Sequence, residues 1–406
     1  MNHEALAKRA QQCLQMLCAD IPNRAVGSPG NRQAADYIAR QFAAHGWDVR
    51  TPSFDCLHWQ THGCTLEAGG SAFTAQVSPY SNGGTFHAPL AVASDLAQLE
   101  ASDLAGQIVL LGGDLTREQL MPKNFTFYNP EHHQRLIHLL EQKAPLAIIA
   151  ATARDTEMAG ALYPFPLFED GDFDIPSVFL TEEEGARLAV HAGSPLRLDI
   201  RARREPALGC NVVAQRAAQV RSRVVFFAHL DAKPGTPGAL DNAAGVIILI
   251  LLAELLAAYP GRLGIELVAL NGEDYYSNPG EMLYLRENEG RFGEICLGIN
   301  IDGAGYHEGA IAYSLYECPA RVADGIRAVM ARHTGLVEGE PWVQGDHALF
   351  LMNGVPALAI TSQRAFELMT TLVHTDADTP EQVDPRRLAQ TALVLRDLVD
   401  ELDDWL

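Results

Sequence analysis

Five residues of metal-ligating type occupy corresponding places in this chain, each where an apolar run gives way to a polar loop. His229 closes RVVFFAH, Asp241 follows the turn PGTPGAL, and Asp274 ends GIELVALNGED. Asp302 follows ICLGINI, and His374 lies in LVHTDADT. Imidazole nitrogen mixed with carboxylate oxygen suits zinc, with cobalt or manganese as alternatives. The charges also balance. Asp241, Asp274, Asp302 and one bridging hydroxide neutralise two divalent ions. Asp241, beside glycine-containing turns, has room to keep both oxygens free for bridging. Glu273 is then a carboxylate left over beside a ligand, placed to act as general base toward a metal-bound water.

Each residue is ordinary when taken alone. An Asp at a helix start is an N-cap, a His at a strand end packs in a core, and Glu-Asp solvates a turn. The argument lies in all of them falling at strand ends together. No H-E-x-x-H, G-x-S-x-G, Walker loop or strand-following G-x-G-x-x-G competes with this reading.

The elements that must position these residues are legible from about residue 208 onward. Runs of Val, Ile and Leu alternate with helical segments near 241–258, 279–289, 319–333 and 385–404. This pattern predicts a three-layer α/β/α fold with a mostly parallel mixed sheet. In such a sheet the carboxyl ends of the strands share one crevice. Two helices, about 3–19 and from Ser28 to His45, belong to the same layer. Residues 55–205 differ, with short alternating strands between Gly, Pro and Asp turns. They predict an inserted β-rich domain, leaving 1–54 and 206–406 as the catalytic domain. His132 and His133, on a helix near 131–143, read as surface residues.

Composition limits the partners. Of 406 residues, 30 are Lys or Arg and 51 are Asp or Glu, a net charge of −21. Nucleic acid and anionic membrane would be repelled. The longest apolar run, 246–252, is too short to span a bilayer. The first twenty residues lack the apolar core of a signal peptide, so a cytoplasmic location is expected. The seven cysteines lack a paired framework and are expected as thiols; Cys56 and Cys64 are the one pair that could meet across a hairpin. Nothing in the sequence speaks to oligomeric state.

Taken together, AHLD, PGALDNAAG, NGED, NID and HTDADT resemble the di-zinc exopeptidases of clan MH. These are the aminopeptidases related to the secreted leucyl aminopeptidases of Aeromonas and Streptomyces, and glutamate carboxypeptidase. RAVGSPGNRQAADYIARQFAAHGWDV resembles the family's N-terminal segment. LAGQIVLLGG, APLAIIAAT and DIPSVFLTEEEGARL resemble a protease-associated domain.

The resemblance implies that His229 and Asp302 bind one ion, that Asp274 and His374 bind the other, and that Asp241 bridges. It also implies Glu273 as general base and Asp231 as the acid holding His229 in its ligand tautomer. Gly345-Asp346-His347 resembles a pocket segment, which makes Asp346 and His347 candidate substrate-binding residues. The implied activity is hydrolysis of N-terminal peptide bonds, or of an amino-acid amide, by metal-bound hydroxide on two zinc ions.

Asp274 departs from the family's usual Glu-Glu pair. Being one methylene shorter, it requires the backbone to approach by roughly 1–1.5 Å. Tyr275 and Tyr276 follow without an assigned role. Two other readings stay open. A carboxypeptidase or an amidohydrolase on small acyl-amino acids needs a cation beside the metals, and only Lys233, Arg286 and Arg364 are near in sequence. A non-catalytic binding protein on the same scaffold would lack ligands or base, and none is missing. A one-zinc glutaminyl-cyclase-like activity fits poorly with five filled ligand positions.

Overall fold

The computed structural model describes residues 2–21, 23–154, 160, 162–216, 222–342 and 345–405. The chain forms two compact units, Met1–Cys56 with Ala207–Leu406, and Leu57–Pro206. Both boundaries fall inside long strands, Ser53–Ala68 and Pro195–Cys210.

The first unit is built on an eight-stranded mixed sheet. Its centre is Gly264–Leu270, Arg223–His229, Ile295–Ile301 and Ala357–Ser362 in that order, all parallel. Val212–Arg216 and Ile311–Tyr316 flank this centre antiparallel, and Asp48–Arg50 and Leu336–Glu338 complete the edges. The central strands are continuous aliphatic runs because both faces are covered. In Arg223–His229 every residue is buried. Phe226 points into the core formed with the helices His3–Leu14, Pro29–Ala44, Ala244–Leu255 and Pro385–Trp405. Its neighbour Phe227 points to the other face, with ring centroids 4.7 Å from both Tyr284 and Phe350 on the helices Pro279–Glu287 and Ala348–Leu351.

Ala244–Leu255 is apolar on all sides, as a helix enclosed by others must be. It lies close to the sheet because Gly245 has no side chain. A Cβ there would come within 2.3 Å of the Ile301 carbonyl and 2.9 Å of Ala228. The first helix is shorter than its apolar period suggests. His3–Leu14 is regular, and Gln15–Asp20 continues it with the wider π geometry.

The second unit has its own eight-stranded sheet, centred on Gly84–Ala93, Ile108–Leu111, Ala147–Thr152 and Ser177–Thr181. Alternation divides its core. Ile108 and Leu110 enter one buried cluster, Val109 and Leu111 the other. Among the described residues the α-helices Leu96–Ala101, Glu131–Lys143 and Glu182–Ala189 accompany it.

Of two expectations, the one for thiols holds and the one for His133 fails. Cys56 and Cys64 lie on one continuous strand, not on opposite arms of a hairpin, and all seven cysteines are thiols. His133 is not a surface residue. It is 3% exposed, because it falls on the inward face of its helix with Leu136, Ile137 and Leu140. Among the described residues no helix is long and apolar enough to cross a membrane.

Candidate metal centre

The carboxyl ends of the parallel strands deliver the five ligand-type residues to one place. Asp241 lies between the two histidines. Its Oδ1 is 3.0 Å from His229 Nε2, and its Oδ2 is 3.1 Å from His374 Nε2. Asp302 Oδ1 lies 3.8 Å from His229 Nε2, and Asp274 Oδ1 lies 2.9 Å from His374 Nε2. Two sets thus share one carboxylate: His229 with Asp302, and His374 with Asp274.

Asp241 is free for this position because it does not cap the helix that follows. Its backbone is non-helical, and regular helix begins only at Ala244. Asn242 does the capping. Its Oδ1 accepts from Gly245 N at 3.0 Å and its Nδ2 donates to the Ile301 carbonyl at 2.8 Å. Asp378 holds the segment from the other side, accepting from Leu240 N at 2.7 Å and Asp241 N at 3.0 Å. Neither role was read from sequence. Asp378 is the last acid of HTDADT, and that proximity to His374 was its only local signal.

Asp231 is wholly buried and acts on two neighbours. Its Oδ1 lies 3.7 Å from His229 Nδ1. The same carboxylate accepts from Gly272 N at 2.7 Å and Asp274 N at 3.0 Å. Those two bonds draw in the backbone that carries the short ligand, which is the approach that Asp274 requires. His374 has φ of 62°, a left-handed conformation uncommon outside glycine and enriched at functional sites.

The donor set fits divalent cations. Asp274 Oδ2 is buried with no hydrogen-bond partner, and neither ring nitrogen of the buried His229 makes a well-directed hydrogen bond. An ion with bonds of ~2.1 Å in tetrahedral geometry separates its ligands by about 3.4 Å, and the observed spacings lie around that distance. Ligand atoms of His229, Asp241 and Asp274 all fall within 4.8 Å of one another.

The crowded charges also shift one another's proton affinities. Burial alone would lower the pKa of His229, but Asp231, Asp241 and Asp302 hold it well above the usual imidazole value. His374 is raised likewise by Asp274 and Asp241 against its own burial. Burial works to raise Asp241 and Asp274, and the histidines override it and lower both. Burial, joined by Asp274, Asp302 and Asp241 and opposed by His229, pushes Glu273 well above the carboxylate range.

Asp346 and His347 are 2% and 0% exposed, so neither presents surface to a substrate in this conformation. Burial, joined by the nearby Glu281 and Glu273, pushes Asp346 well above the carboxylate range, and burial pushes Glu281 to about 7. His347 Nε2 must donate to the Trp342 carbonyl at 3.0 Å. Burial lowers the pKa of the ring, and its Nδ1 is buried without a hydrogen-bond partner. Arg364 is held by Glu308 and Glu367 over the Tyr306 ring. Arg286 is exposed.

Peptidase family M28 matches residues 211–399, the stretch that holds all five ligand-type residues and Glu273. A Mycobacterium tuberculosis protein described as a probable lipoprotein aminopeptidase is 27% identical over 271 residues, 64% of this chain and 50% of its own. An aminopeptidase of Pseudomonas aeruginosa is 25% identical over 269 residues, 62% of this chain and 48% of its own. The chain therefore spans about half the length of the curated relatives it matches. Among solved structures, a zinc aminopeptidase from Bacillus subtilis aligns with TM-score 0.73 at 19% identity, covering 98% of this chain and 94% of that one. A glutaminyl cyclase from Fimbriiglobus ruber aligns with TM-score 0.52 at 13% identity, covering 97% and 94%. At these identities the likeness to solved structures concerns the fold.

Proposed function

We propose that the chain is a metal-dependent aminopeptidase holding two zinc ions, a reading supported by the match of peptidase family M28 to residues 211–399. His229 and Asp302 would hold one ion, His374 and Asp274 the other, with Asp241 shared between them. One observation carries this reading: the two oxygens of Asp241 face two different imidazoles, each with a second carboxylate beside it.

When bound, the ions supply Lewis acidity toward the scissile carbonyl and lower the pKa of a coordinated water. The chain's own residues do the rest. Glu273 takes the proton of the attacking water on its carboxylate and returns it to the leaving nitrogen. Asp231 keeps the proton of His229 on Nδ1, leaving Nε2 as the ligand atom. The concentration of carboxylates favours a substrate with a free, cationic α-amine. Glu308 and Glu367 occupy Arg364, whereas the charge of Lys233 reaches Asp274, so the N-blocked substrates below are the test of a carboxypeptidase reading.

Aminoacyl-p-nitroanilides tested beside N-blocked peptides, before and after chelation, decide the matter. The expected result is hydrolysis of free-amine substrates only, abolished by chelator and restored by zinc. Cleavage of N-blocked substrates alone, or activity indifferent to chelation, would overturn it.

A further inference from the structure

We propose that Arg24 is a positioning residue of the metal centre, clamping segment 237–241 against Asp378 so that Asp241 faces both ions. The inference rests on the reading of Asp241 as the bridging ligand.

Arg24 is 1% exposed, and every oxygen it binds is a backbone carbonyl. Nε donates to Leu230 at 3.0 Å, Nη1 to Leu17 and Pro237 at 2.8 Å each, and Nη2 to Gly238 at 2.7 Å. Leu230 lies between His229 and Asp231, and Gly238 lies three residues before Asp241. One planar group therefore ties the strand end that bears a ligand to the turn that bears the bridge.

Asp378 holds the same turn by its N–H groups. Besides accepting from Leu240 and Asp241 through its carboxylate, its backbone carbonyl accepts from Ala239 N at 3.1 Å. A guanidinium thus fixes the carbonyls of the segment and a buried carboxyl group its amides. Gly238, at φ +59°, is where the two meet. A Cβ there would lie 2.9 Å from Arg24 Nη2 and 2.6 Å from the Asp241 carbonyl oxygen. The fork geometry matters. A lysine keeps the charge, but its three donors radiate from one atom and cannot reach carbonyls on three separate segments.

The test measures metal affinity directly, by chelator competition, on Arg24→Lys and Gly238→Ala with circular dichroism as the fold control. Loss of an outer partner of a metal ligand typically weakens affinity by ~10- to 100-fold. The clamp predicts a loss of that size for both ions at once, since the displaced ligand is shared. Wild-type affinity in a folded variant, or weakening confined to one ion, would overturn it. Hydrogen exchange on the metal-free wild-type chain tests the premise even if both variants fail to fold, because a clamp must hold the segment in order before metal binds. The amides of Leu240 and Asp241 should be protected, and rapid exchange there would overturn the clamp. A wild-type chain that binds two ions without hydrolysing aminoacyl amides would end the aminopeptidase reading and leave the clamp standing.

Discussion

Two clusters of histidine and carboxylate occur among the described residues, one in each unit, and only one is built for metal. In the first unit His229 and His374 surround Asp241 with Nε2 directed at carboxylates, and neither ring nitrogen of His229 has a well-directed hydrogen bond. In the second, Glu118 Oε1 lies 2.8 Å from His132 Nε2 and 3.3 Å from His133 Nε2. Proximity is alike, but the tautomer differs. Met121 N donates to His133 Nδ1 at 3.1 Å, so the neutral ring carries its proton on Nε2, the atom facing Glu118. That nitrogen has no lone pair for an ion, and one carboxylate leaves little charge to neutralise. A ligand cluster is recognised by lone pairs left over and like charges crowded together, more than by distance.

The largest effect expected from this contrast is at the shared carboxylate. Asp241→Asn removes the charge common to both sets, so metal content measured by elemental analysis should fall from two ions toward none. Activity should fall by ~10,000-fold or more, the scale of losing one member of a catalytic unit.

Glu273→Gln comes next. It should lower kcat by ~100- to 10,000-fold with KM and metal content near wild type. Loss of metal in this variant would make Glu273 a ligand, and unchanged kcat would make it a bystander.

Asp231→Asn should weaken metal binding by ~10- to 100-fold, because His229 loses its tautomer partner and Asp274 N its acceptor.

A pH titration sharpens the comparison. In the metal-free chain His229 and His374 have pKa values raised above the unfolded value of ~6.5. Their protonated forms therefore stabilise the fold fully below that pH. The contribution is lost as pH rises through the folded pKa values. Metal affinity should rise over the same window, since binding displaces those protons. Thermal unfolding with and without zinc at several pH values should show opposite trends; parallel trends would argue against metal and proton competing for the same nitrogens.

The smallest effects belong to the second cluster. His132→Ala, at an exposed position, should change stability by less than ~0.5 kcal/mol and leave metal content and kcat alone. His133→Ala should cost about 1–3 kcal/mol by leaving the Met121 amide without its acceptor, again without loss of metal. Fewer bound ions in either variant would undo the distinction between the clusters.

Some of this protein was written locally. The continuous aliphatic runs of the central strands, the helical periods between them and the polar residues at their ends depend on near neighbours in sequence, and they were sufficient to name His229, Asp241, Glu273, Asp274, Asp302 and His374. In the strand Pro195–Cys210, Leu196, Leu198 and Ile200 alternate with more exposed residues, but its many charges hide that period in the sequence. Other features had no local signal. Asp241 and Asn242 are both good caps by type, and only the Ile301 carbonyl across the sheet makes Asn242 the cap and frees Asp241. His133 reads as polar until Met121 N supplies its partner. Arg24 and Asp378 are far apart in sequence from the turn they grip. A side chain's type limits which bonds it can make. Which bond it does make depends on the donor or acceptor that packing brings to it, and that partner is usually set by the tertiary fold.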